Sequence, residues 1–324
     1  MLHQITLAAT LAAAILPSCV SAGPLSSPKR GLVFTPNSTT RGDDQIWFQK
    51  PSSLTWYYNY KAAPDDVYAK ISQSELEFVP MLWGTPKTVQ DTSFVTEIKK
   101  QIKDGRNITN ILSFNEPDAP YSWGGSNMDV QTAAEVWVRN IEPLREMGLR
   151  VGLPACTGAS TGINWTRNFV KACNDRISQG GLAKNCSFDF ITLHWYGGFE
   201  GLASHMGQYS AEFPGTPMWI TEYNFADQSL VDTQAFYNIS AEYFDRLPEV
   251  ERYSLFGAFR SDVSNVGPNA AMLNNAGELT DIGAWYLGRQ GTGVLPTSKK
   301  SGASVPPQVS AALLVAFGLL ALVC

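Results

Sequence analysis

Histidine is nearly absent from this sequence of 324 residues, which has only three. No two of them stand at a metal-ligand spacing, so no metal site is expected. Charge is sparse as well, at 16% of residues, and a net charge of −5 gives no basic footprint for nucleic acid. No glycine-rich loop offers a phosphate cradle, so no nucleotide cofactor is called for, nor any other cofactor. The absence of a fixed-period repeat argues against solenoids and propellers. Cysteine is limited to five residues, two of them at the extremities. Of the remaining three, Cys173 and Cys186 flank a polar, Gly-containing segment and are expected to pair. Cys156, at a strand end, is expected to be a buried thiol.

Both termini read as processing signals. Leu7 to Leu16 is apolar and rich in Ala and Leu, and Val20-Ser21-Ala22 follows as a small-residue cleavage site. Ala311 to Val323 is an apolar run shorter than the roughly 20 residues that a bilayer span needs. It is preceded by a spacer, Ser304 to Ser310, and by the small residues Ser301-Gly302-Ala303. That order is the pattern of a GPI-attachment signal, with a tail-anchored membrane helix as the rival reading. The expected parts are a signal peptide at 1–22, one domain at 23–290, a Ser/Pro/Gly stalk at 291–301 and a removed propeptide at 302–324. Five N-x-S/T sequons, at Asn37, Asn107, Asn164, Asn185 and Asn238, agree with passage through the secretory pathway. The expected location is the outer face of the plasma membrane, through a GPI lipid, or the cell wall. A monomer is expected.

What the chain does have is a recurring strand-like run. Gly31–Thr35, Thr55–Tyr60, Phe78–Gly84, Ile111–Glu116, Arg150–Ala155, Phe188–Tyr196, Met218–Tyr223 and Tyr253–Phe259 are apolar and bounded by turn or helical segments. Between them, Val130, Ala134, Trp137, Ile141 and Leu144 recur at spacings of four and three, the stripe of a helix over 130–147. Weaker helical patterns cover 91–104, 168–178, 231–246 and 280–287. Strand alternating with helix in a chain of this length predicts a single-domain (β/α)8 TIM barrel.

Two of these runs end alike. Ile111-Leu112-Ser113-Phe114 runs into Asn115-Glu116-Pro117, and Met218-Trp219-Ile220-Thr221 into Glu222-Tyr223. Alternation along a strand puts Phe114 with Glu116, and Ile220 with Glu222, on one side. Active-site groups of such barrels project from the C-terminal ends of strands, so both carboxylates are expected at one mouth. Paired carboxylates are what glycoside hydrolysis requires.

In their order and spacing, Ser113-Phe114-Asn115-Glu116-Pro117-Asp118, His194-Trp195-Tyr196-Gly197 and Trp219-Ile220-Thr221-Glu222-Tyr223 resemble glycoside hydrolase family 128. Val79-Pro80-Met81-Leu82-Trp83-Gly84 and Gly283-Ala284-Trp285-Tyr286-Leu287 fit the same family of fungal and bacterial β-1,3-glucanases. The resemblance covers residues 31–287. It implies Glu116 as acid/base, Glu222 as nucleophile and Asn115 as the partner of the sugar 2-hydroxyl. His194 and Tyr196 share one parity and can reach the site, His194 either as a structural residue or to orient a carboxylate. Trp83 and Trp195 are the expected sugar platforms, and Tyr58 belongs to the same aromatic set. The reading is therefore a surface-anchored, retaining endo-β-1,3-glucanase of the fungal wall acting on β-glucan. Action on another linkage, transglycosylation, or a wall protein that only binds glucan are the alternatives.

Overall fold

The computed structural model describes residues 26–179 and 183–297. The expected signal peptide, most of the stalk's second half and the attachment signal lie outside them. The strands are β1 (Gly31–Val33), β2 (Trp56–Tyr58), β3 (Glu77–Phe78), β4 (Asn110–Ile111), β5 (Arg150–Val151), β6 (Ile191–Tyr196), β7 (Met218–Asn224) and β8 (Val250–Leu255). All eight expected runs therefore carry a strand, most of them shorter than expected, and β8 begins three residues early. They pair in parallel as three sheets, β1-β2-β3, β4-β5 and β6-β7-β8. Isolated parallel bridges join the sheets at their seams: Met81 with Leu112, Gly152 with Phe190 and Cys156 with Leu193, and Arg30 with Tyr253.

From β3 onward helices separate the strands, and the last follows β8: α1 (Ser93–Lys103), α2 (Val130–Asn140), α3 (Glu142–Arg145), α4 (Gly162–Ile177), α5 (Phe199–Glu212), α6 (Leu230–Arg246) and α7 (Asp281–Tyr286). The long stripe after residue 130 is two helices, because Pro143 has no N–H to continue the ladder and sits at the start of α3. The Asp129 carboxylate caps α2, accepting from the Gln131 and Thr132 amides at 3.0 Å each. Helix α5 was not expected. Its buried positions are Leu202, His205, Met206 and Tyr209, a stripe in which histidine and tyrosine replace aliphatic residues and blur the periodicity. Cys173 and Cys186 form a disulfide, and Cys156 is a buried free thiol.

Two apolar clusters divide the interior. The larger joins helices to the outward face of the strands; the smaller lies on the opposite strand face and comprises Val33, Trp56, Tyr58, Val79, Met81, Leu112, Phe190 and Trp219. Trp219 stacks on Phe190 at 4.0 Å between centroids and leans on Trp56 at 5.3 Å. The Arg252 guanidinium lies 4.3 Å from the Trp219 ring centroid and is fixed by Glu77 at 2.6 Å. This aromatic layer is a solid floor beneath the strand ends. Trp219→Ala leaves a cavity there, and equilibrium denaturation is expected to give a loss of about 3–5 kcal/mol.

Candidate active site

The site is built where alternation fails. Leu112 lies on the inner face and Phe114 on the outer one, so alternation has already slipped between them, and continued from Phe114 it would turn residue 116 outward. Glu116 instead has φ of 40°, the left-handed region that non-glycine residues rarely occupy. Its amide bonds the Ala155 carbonyl at 2.7 Å, and the turn returns its side chain to the inner side. The strain costs roughly 1–3 kcal/mol, a size typical of functional positions. On β7, Trp219 is inward and Ile220 outward, and register shifts on both sides of β7 then bring His194 opposite Glu222. Phe114 and Ile220 therefore do not share a face with the glutamates, contrary to the alternation argument. The two carboxylates still converge, through a left-handed residue and a bulge.

His194, fully buried, stands between them. Its Nδ1 is 3.0 Å from Glu116 Oε1 and its Nε2 is 3.5 Å from Glu222 Oε1, an ion-pair distance too long for a strong hydrogen bond. One oxygen of each glutamate and a ring nitrogen of His194 all lie within 4.8 Å of one another. Glu222 also accepts hydrogen bonds from Tyr60 Oη at 2.7 Å and Tyr196 Oη at 2.6 Å. Tyr58 Oη donates to the Thr221 carbonyl at 3.0 Å and sits 3.5 Å from Glu222 Oε1.

The electrostatics follow from burial and these partners. Desolvation pushes the Glu222 carboxyl above its ordinary value, and the Glu116 charge pushes the same way. His194 and the hydroxyls of Tyr196 and Tyr60 pull it back down. Burial opposes charge on His194, but Glu222 and the bond to Glu116 outweigh it and raise the imidazole above its ordinary value. Burial and the nearby Glu222 raise Tyr58, Tyr60 and Tyr196 far beyond the ordinary phenol range, so these hydroxyls keep their protons and remain donors. Glu116, His194 and Glu222 are close enough to share a metal ion. Their lone pairs already face one another or the tyrosine hydroxyls, and both nitrogens of a charged His194 are donors, so the donor set fits a proton better than a cation.

A cleft of about 480 Å³ opens over the pair, lined among others by Tyr60, Trp83, Asn115, Trp123, Tyr196 and Phe256. A second, of about 420 Å³, meets it at Glu116, Trp123 and Tyr196 and is walled by Trp195, Thr157 and Gly158. A larger surface hollow of about 580 Å³, lined by residues such as Gln73, Gln101 and Arg106, contains neither glutamate nor any aromatic side chain. Of the expected residues, Asn115, Trp83 and Tyr196 line the first cleft with the glutamates, and Trp195 lines the second. His194 and Tyr58 are both 0% exposed and meet the carboxylates from below, His194 in a position to orient them and Tyr58 away from the cleft surface where the other aromatic residues of its set lie. Asn115 Nδ2 bonds the Gly124 carbonyl at 3.1 Å, fixing the loop that carries Trp123. Asp118 orients the next loop by accepting from the Thr157 amide and hydroxyl at 2.9 and 2.6 Å.

Tyr60 is the functional residue that sequence reasoning missed. It has the parity of Tyr58 in Trp56-Tyr57-Tyr58-Asn59-Tyr60, and that was the available signal. Its own φ of 62° aims the ring at Glu222. Tyr60→Phe removes a bond to the charged form of Glu222 and is expected to raise that carboxyl further, followed by ¹³C NMR of labelled glutamate. An unchanged or lowered titration would contradict this geometry.

Comparison with known proteins comes to the same place. A family model described as glycosyl hydrolase catalytic core matches residues 31–286. The chain is 29% identical over 270 residues to alkali-sensitive linkage protein 1 of Schizosaccharomyces pombe, covering 81% of this chain and 44% of that protein. It thus spans less than half the length of that relative. The resemblance to family 128 read from the motifs is met by solved structures of that family. One is a subgroup I endo-β-1,3-glucanase from Amycolatopsis mediterranei, a mutant in complex with laminarihexaose (26% identity, TM-score 0.58, 81% of this chain and 100% of that one). Another is a subgroup VII oligosaccharide-binding protein from Cryptococcus neoformans (23% identity, TM-score 0.59, 82% and 97%).

Proposed function

The chain belongs to the glycosyl hydrolase catalytic core family, and on that footing we propose that it is a retaining endo-β-1,3-glucanase. One observation carries the reading: two glutamates with oxygens within 4.8 Å, bridged by one histidine. Retention needs carboxyl groups about 5–5.5 Å apart, whereas inversion needs about 6.5–9.5 Å to admit water. Glu222, oriented by Tyr60 and Tyr196, attacks the anomeric carbon while Glu116 protonates the departing glycosidic oxygen. Water then adds to the glycosyl-enzyme as Glu116 takes its proton and the Glu222 carboxylate is released. Asn115 holds the 2-hydroxyl. Clefts on both sides of Glu116 support attack within a chain rather than at its end, and the indole faces of Trp83 and Trp195 suit sugar C–H faces. The β-1,3 linkage is supported by the family 128 endoglucanase that the chain is similar to.

The three parallel sheets, linked at each seam by a bridge, support the (β/α)8 barrel as the scaffold. A wall-remodelling role at the cell surface, with a GPI anchor and N-glycans, completes the reading. Asn107, Asn164 and Asn185 are exposed, as glycan carriers must be, whereas Asn37 and Asn238 are half-buried. A binding-only protein, as the Cryptococcus structure is described, is the second reading. The intact carboxylate pair, with hydroxyls aimed at Glu222, favours turnover. Product analysis on β-1,3-glucan tests it: soluble oligosaccharides from the protein, and roughly a thousandfold fewer from Glu222→Gln. Binding without release from the unmodified protein would leave the binding reading in its place.

A further inference from the structure

We propose that the N-linked glycan of Asn107 folds into the surface hollow beside it, where its first N-acetylglucosamine units are held as part of the fold. The proposal rests on the reading that the chain carries N-glycans. The hollow, of about 580 Å³, has the volume of a small-ligand cleft, and the sequon asparagine is itself one of its lining residues. Asn107 is exposed. Asn164 and Asn185 are exposed too, but they line neither this hollow nor either cleft at the glutamates. A sugar attached at Asn107 therefore meets a concave surface within its own reach, and seating it there is an intramolecular event.

The hollow lies between the end of α1 and the turn that leads into β3, and hydrogen bonds join its two walls. From the turn, Gln73 Nε2 donates to the Asn107 carbonyl at 3.2 Å and to the Phe78 carbonyl at 3.1 Å, while its Oε1 accepts from the Phe78 amide at 2.9 Å. From the other side, Arg106 Nη2 donates to the Ala69 carbonyl at 2.9 Å. Gly105, with φ of 95°, makes the bend after α1 that brings Arg106 and Asn107 to the rim. A space framed in this way is preformed for an occupant.

Its lining suits an N-acetyl sugar better than the glucan substrate. No aromatic side chain lines it, so it lacks the platform on which a glucose ring would lay its C–H face. Ile71 offers an apolar patch for an acetyl methyl group. The Ser72 and Ser74 hydroxyls, 3.1 Å apart, and the Arg106 guanidinium, a group with five N–H donors, offer partners to sugar hydroxyls and to the acetamide carbonyl. Asp104 and Arg106 give the lining one charge of each sign, which fits a neutral ligand. Strands β3 and β4 begin just beyond the hollow, so it opens on the face opposite the catalytic mouth, where a seated glycan leaves the glucan path clear.

The test takes the full chain secreted from a eukaryotic host, treats it in the native state with a peptide-N-glycosidase, and follows each sequon by glycopeptide mass spectrometry. Release at Asn107 is expected to be about tenfold slower than at Asn164 and Asn185, the factor that a seating preference of about 1.4 kcal/mol gives. After denaturation the three sites should release alike. Ser74→Trp, at an exposed position, fills the hollow and should raise native release at Asn107 to the rate of the other two. Amide hydrogen exchange gives a reading that does not depend on that variant: residues 71–76 should exchange more slowly in the glycosylated protein than in Asn107→Gln. Equal native release at the three sites, slow release that Ser74→Trp leaves unchanged, or exchange that Asn107→Gln leaves unchanged would overturn the proposal. A bare Asn107 beside glycans at other sequons would overturn it and leave the N-glycan reading intact. Bare asparagines at all five sequons would remove that reading, and this proposal with it.

Discussion

A single imidazole between two carboxylates governs the architecture of this protein. His194 is fully enclosed and contacts Glu116 through one nitrogen while facing Glu222 through the other. Each charge there would be unstable alone: an unpaired buried carboxylate or imidazolium carries a desolvation penalty of several kcal/mol. Together each gives the other a compensating partner, and the hydroxyls of Tyr60 and Tyr196 donate to Glu222 as well. The strained backbone at Glu116 and Tyr60, and the bulge on β7, all serve that convergence.

This explains a division of labour among the aromatic residues. Those on the floor, Trp56, Phe190 and Trp219, are sealed and provide rigidity. Tyr58 and Tyr60 occupy the layer above and touch the carboxylate. Trp83, Trp123 and Trp195 lie at the surface, where they border clefts that meet at Glu116. Moving outward, the chemistry passes from packing, to charge control, to recognition. Glu222 sits at the middle layer, 5% exposed, so a substrate must enter fully before it meets that carboxylate.

The sequence disclosed this plan unevenly. All eight strands were legible because parallel strands buried on both faces read as apolar runs bounded by turns. Both glutamates were legible because each ends such a run. The reason they face one another was not, since alternation is a rule for regular strands and the site abandons it between Leu112 and Glu116 and again at Thr221. Tyr60 escaped notice because its ring is aimed by a left-handed backbone that no composition signals. Tyr58 was grouped with the sugar-facing aromatics but is sealed beneath the carboxylates, because a residue pattern gives parity and not depth. Helix α5 was lost because its buried stripe relies on His205 and Tyr209, which score as polar.

The central claim is that Glu222 forms a covalent bond to the sugar, and the stereochemistry of the first product tests it most directly. ¹H NMR of the anomeric region, recorded as a β-1,3-glucan oligosaccharide is cleaved, separates the newly released reducing end before mutarotation mixes it. The carboxylate spacing predicts that the β-anomer appears first and the α-anomer grows in later. Initial release of the α-anomer would mean direct displacement by water, and would contradict the role given to Glu222.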